Sequence, residues 1–132
     1  MKNAFSLLEL IFAIVVIGIL ASIGIPKLMD TRNDALVSTV KQDLVSLSSS
    51  IQTYYMLNGK IDNISDAIIL NSTLWEVDGI KAIFKDNDKE CIIAQIIGSD
   101  NKQLSIEIED DSSSVCKKLV LSGVKNINYD LY

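Results

Sequence analysis

Few side chains in this sequence could do chemistry. No histidine occurs among its 132 residues, which removes the commonest general base and the commonest transition-metal ligand. Nothing resembles a nucleophile–base pair or a phosphate-cradling loop, so an enzyme is not expected. Two cysteines, Cys91 and Cys116, are too few for a zinc site without histidine. They form either a disulfide or a pair of buried thiols. The run Asp86-Asn87-Asp88-Lys89-Glu90 brings oxygen ligands close together, yet it contains Lys89 and lacks the full calcium-loop pattern. A solvated turn is the better reading, there and at Asp110-Asp111; no metal and no cofactor is expected. One carboxylate is left to explain. Glu9 lies inside FSLLELIFAIVVIGILASIGIPKL, a segment apolar enough to cross a membrane. A carboxylate at the centre of a bilayer costs at least ~2.5–3.5 kcal/mol, and such groups usually have a partner.

The element that positions Glu9 is therefore the first question. From Phe5 to Ile25 the apolar stretch is 21 residues, about the ~20 that a helix needs to cross ~30 Å of hydrocarbon. A cleaved secretory signal has an apolar centre of only ~7–15 residues, uncharged. The only small-x-small site, Ser22-Ile23-Gly24, runs straight into Ile25-Pro26. A membrane anchor fits better. Lys2 and the α-amino group before the span favour a cytoplasmic start and an exported remainder. Pro26 is the only proline in the chain; it lacks an amide donor and clashes one turn back, so it should kink or loosen the helix there.

Ala4-Phe5-Ser6-Leu7-Leu8-Glu9, the long Ile/Leu/Val/Ala/Gly run and Pro26 resemble the amino-terminal signal of type IV pilins and type II secretion pseudopilins. In that family a prepilin peptidase removes a short basic leader before a phenylalanine and methylates the new amino terminus. Glutamate is then the fifth mature residue and proline the twenty-second. With Phe5 as the first, Glu9 and Pro26 take those two places. Ala4 stands where the family usually has glycine. The resemblance implies cleavage between Ala4 and Phe5, N-methylation of Phe5, and a role in assembly for Glu9, whose carboxylate would meet the amino terminus of a neighbouring subunit. A buried charge is tolerated when paired and can specify register.

Residues 1–4 are then the leader, 5–26 the membrane and assembly segment, and 27–132 an exported pilin-like head. Within the head, Val37, Val40, Leu44, Leu47, Ile51 and Tyr54 recur at spacings of 3, 4, 3, 4 and 3, one apolar stripe on an amphipathic helix. Gly59 suits a left-handed stop. One helix from about Phe5 to Leu57 is expected, roughly 80 Å at ~1.5 Å per residue. Ser65-Asp66 is expected to cap a short helix over residues 67–70. A β-meander over about 79–132 follows, with strands at 80–85, 91–97, 104–109 and 115–121 between turn-rich stretches. Such a sheet must bury its apolar face, and the stripe on the preceding helix is available. Trp75, Tyr54 and Tyr55 are expected in that packing. The fold class is α+β, pilin-like.

On the exported side of the membrane an oxidising periplasm favours a Cys91–Cys116 disulfide, and type IV pilins often carry one in this part of the head. With 12 Lys+Arg against 17 Asp+Glu the net charge is −5, so no direct nucleic-acid binding is expected. The resemblance implies a structural subunit, a pseudopilin or minor pilin, held singly spanning the inner membrane with its head in the periplasm. It would assemble into a periplasmic or surface filament for type II secretion, a type IV pilus or DNA uptake. Its partners would be copies of itself, other pilin-like subunits, the prepilin peptidase and the inner-membrane assembly platform. The alternative is a periplasmic binding domain on a membrane tether that forms no filament.

Overall fold

The computed structural model describes residues 4–100, 102–110 and 113–131, with Met29 described by its backbone alone. Met1, Lys2 and Asn3 of the expected leader lie outside the described residues. So do Asn101, Asp111 and Ser112 of the expected turns, and Tyr132. The elements are α1 (Leu7–Asn58), α2 (Ile64–Ala67), β1 (Trp75–Asp78), β2 (Lys81–Asp86), β3 (Lys89–Ile97), β4 (Gln103–Ile108), α3 (Ser114–Leu121) and β5 (Ile127–Asp130). Contacts divide the chain into two compact units, one ending at Asn33 and one running from Asp34.

Gly59 ends α1 as its position suggests. It adopts φ +75°, and its N–H donates to the Tyr55 carbonyl at 2.7 Å, a left-handed termination that a Cβ would strain. In the second unit, α1 presents Val37, Val40, Leu44, Leu47 and Ile51 as a buried stripe. Its last member is Tyr55 rather than the expected Tyr54, which is only partly buried. At about 100° per residue, Tyr55 falls nearer the centre of that stripe than Tyr54 does.

The stripe packs with the inward face of a five-stranded sheet in the order β1-β2-β3-β4-β5. All four pairings are antiparallel. Ala82, Phe84, Ile92, Ala94, Ile96, Leu104 and Ile106 supply the sheet side of the core, following the period of two. Tight turns set the register. Asp78 pairs with Lys81 around Gly79, whose φ is +57°, and Asp86 pairs with Lys89 around Asn87 and Asp88, at φ +52° and +62°. Both are the positive-φ turns that match strand twist. The acidic run is thus the tip of a hairpin, exposed from Asn87 to Glu90, with Asp86 half-buried at its base.

Two expectations about elements are corrected. The segment 115–121 is not a strand but most of α3. Ser113 is its N-cap, and its Oγ accepts from the Cys116 N–H at 3.2 Å. Val115, Cys116 and Leu119 form one buried face at i, i+1 and i+4, a helical spacing. The short helix after Gly59 is α2 at Ile64–Ala67, one turn earlier than expected. Its N-cap is Asn63, with no side-chain cap bond, and buried Ile64 anchors it. Ser65 and Asp66 lie inside the helix instead of capping it. Strands β1 and β5, each of four residues, lie on the two edges of the sheet and were not individually expected.

Candidate assembly segment

The helix carrying Glu9 starts from a local device. Ser6 precedes α1, and its Oγ accepts the Glu9 backbone N–H at 3.2 Å, while its carbonyl accepts from the Leu10 N–H at 3.1 Å. Ser6-Leu7-Leu8-Glu9 is the Ser-x-x-Glu signature of a helix start, a signal available in the sequence that the expectations passed over. The cap satisfies one of the amides left without a partner in the first turn. Glu9 lies in that same turn, where the helix dipole favours negative charge. Its backbone is therefore accounted for; its exposed carboxylate is not engaged by the cap.

Every residue from 4 to 28 is exposed. Phe5, Leu8 and Phe12 are 79%, 79% and 71% exposed, and Ile17, Leu20 and Ile23 are alike. The head core begins only at Val37, so nothing in this unit covers its apolar side chains. The helix is long and apolar enough to cross a membrane. Its backbone bonds internally, the requirement for a span in lipid, and the polar hydroxyls follow suit. Ser22 Oγ donates to the Ile19 carbonyl at 2.7 Å, and Thr31 Oγ1 to that of Lys27 at 3.0 Å. Pro26 lies within α1. Without an N–H it leaves the carbonyl one turn back, that of Ser22, without its helical donor. Ala4 and Phe5 sit just before α1, both exposed.

In the head, the structure joins Cys91 to Cys116, with Cα atoms 5.8 Å apart. The bond depends on a β-bulge. Phe84 pairs with Ile92 while Lys85 pairs with Glu90, so Cys91 has no partner on β2. Both Cys91 and Ile92 are buried, breaking the alternation along β3. A bulge re-aims a side chain in this way, and here it turns Cys91 toward α3. Trp75 is 3% exposed, stacks obliquely on Phe84 at 5.6 Å, and its Nε1–H donates to Asp43 Oδ2 at 3.0 Å. Among the described residues no group of three or more His, Cys, Asp or Glu could hold a metal ion.

Among known proteins the chain is similar to type II secretion system core protein G. It is 37% identical to that of Klebsiella michiganensis over 59 residues, covering 45% of this chain and 42% of that protein. To that of Escherichia coli it is 36% identical over 62 residues, 47% of this chain and 39% of the relative. To the Pseudomonas aeruginosa protein it is 29% identical over 62 residues, 47% and 40% respectively. The chain thus spans about two fifths of the length of these curated relatives. No family model matches it, and no solved structure does. The matches bear out the resemblance to the type IV pilin and type II secretion pseudopilin family.

Proposed function

We propose that this chain is a pilin-like structural subunit of the type II secretion kind, anchored by α1 in the inner membrane with its head in the periplasm and then packed into a filament. The relatives' name favours secretion over a type IV pilus or a DNA-uptake machine. The single observation that carries the reading is the fully exposed apolar half of α1 with Glu9 in its first turn. A lipid bilayer and then a bundle of identical helices can each cover such a surface, and the bundle brings a neighbour's amino terminus to Glu9 as a partner of opposite charge. Residues 1–4 are removed by a prepilin peptidase between Ala4 and Phe5, and Phe5 is methylated. The Phe5 amine of one subunit then meets Glu9 of the next, and residues 27–132 form the exported portion. The inner-membrane assembly platform and related pilin-like subunits are the other partners.

Substituting Glu9 separates this role from that of a plain tether. Glu9→Leu removes a poorly solvated carboxylate and should leave membrane insertion intact or strengthen it. It should nonetheless reduce sheared-filament recovery at least tenfold, because a charge-assisted contact is lost and an amine is left without its partner. Glu9→Asp, shorter by one methylene, should be intermediate. Wild-type assembly of Glu9→Leu, measured beside membrane fractionation of the same cells, would establish the tether instead.

A further inference from the structure

The head carries an apolar depression that its own chain leaves open. A groove of ≈270 Å³ lies beside the middle of α1, lined in part by Val45, Val124, Ile127 and Tyr129, with Lys41 and Lys125 among its lining residues. Its volume exceeds the ~150 Å³ of a cavity that takes up benzene, so it has room for a branched aliphatic side chain. Val45 is 69% exposed and Ile127 37%. No acidic residue lines the groove. Lys41 Nζ reaches the Ser122 carbonyl at 3.4 Å, and neither lysine pairs with a carboxylate among the described residues.

This groove carries two positive charges on a chain of net charge −5. Copies of so acidic a protein repel one another over most of their surfaces, and a cationic, apolar-floored groove is where that repulsion reverses. The segment after α1 has the complementary character. Ile69 is 93% exposed and belongs to no helix or strand; Asp66, three residues earlier, is exposed as well, while Asp62 pairs with Lys60 at 3.3 Å. An exposed large aliphatic side chain three residues from an exposed carboxylate is the counterpart of an apolar groove that lysines line.

We propose that a second copy of this chain docks Ile69 into this groove, with Asp66 facing Lys125. Donor and acceptor are different surfaces, and when repeated head to tail such a contact propagates from copy to copy. The inference rests on the filament reading above and adds to it a contact between heads, separate from the one at Glu9.

The test uses the full-length chain in cells, with Ser46→Cys and Ser72→Cys combined, exposed positions near Val45 and Ile69 in sequence that leave both side chains in place. Cys91 and Cys116 are bonded to each other, and no other cysteine occurs, so only the introduced thiols react with a short bis-maleimide. A ladder of cross-linked copies is expected. Lys125→Glu in that background should reduce it about tenfold through like-charge juxtaposition, and adding Asp66→Lys should restore it. Sheared-filament recovery from the same cells separates the two claims. Filaments recovered without a link between positions 46 and 72 overturn the docking and leave the assembly reading standing; neither filaments nor links overturns both. A ladder indifferent to Lys125→Glu, or a link only to a different polypeptide, also overturns the docking.

Discussion

Replacing both cysteines by alanine, Cys91→Ala with Cys116→Ala, should destabilise the head by an amount set by the loop the bond closes. The two positions are 25 apart in sequence, and the chain-entropy relation for a loop of that length gives about 3.5 kcal/mol. The residues are 1% and 0% exposed, so trimming both sulfurs adds a smaller packing loss of the same sign. The head, from Asp34 onward, is about 100 residues long. At an unfolding entropy of about 2.1 cal/mol/K per residue, a loss of that size lowers Tm by about 17 °C. The molecule has its own reporter, because Trp75 is the only tryptophan and is buried in the head core. Thermal unfolding of the full chain in detergent micelles, followed by tryptophan emission, reads the head alone. Unreduced wild-type protein should melt about 17 °C above the reduced wild type and somewhat further above the double variant. A difference under about 5 °C would refute the reasoning, since the loop constraint would then contribute less than about 1 kcal/mol.

Asp43→Ala removes the acceptor from the Trp75 indole N–H and should cost about 1–3 kcal/mol in chemical denaturation, the penalty for a buried donor left unsatisfied. Ser113→Ala takes the N-cap from α3 and should cost about 1 kcal/mol, with Ser113→Gly losing only a few tenths. Glu76 lies under the Lys85 ammonium at 2.6 Å; first that hydrogen bond, then the charge, hold its carboxyl below the usual range and raise the lysine. The pair's contribution is therefore present at neutral pH. It is lost as pH falls through the lowered glutamate pKa, and at the other end only as pH rises through the raised lysine value. An NMR titration of the Glu76 carboxyl should show that depression in wild type and its disappearance in Lys85→Met.

Much of the architecture is legible along the chain because it depends on neighbours in sequence. The membrane-length run from Phe5, the stripe from Val37 to Ile51, the stop at Gly59 and the alternation in Leu104-Ser105-Ile106 are all written at helix or strand period. Glu9 is conspicuous for the same reason, as one charge in an apolar context. The errors fall where local pattern is ambiguous. Val115–Leu121 is a short run with two valines after a turn-rich stretch, which a strand also fits; the Ser113 cap together with a core that accepts Val115, Cys116 and Leu119 on one face selects the helix. Four-residue edge strands such as β1 and β5 are too short to show a period. What no pattern along the chain could state is which distant residues meet. The bulge at Cys91 that turns it toward Cys116, the Asp43–Trp75 bond that ties α1 to β1, and the groove between Lys41 and Lys125 all join residues far apart in sequence. Their geometry follows from packing the whole sheet against α1, a non-local balance of burial and register that sequence periodicity does not encode.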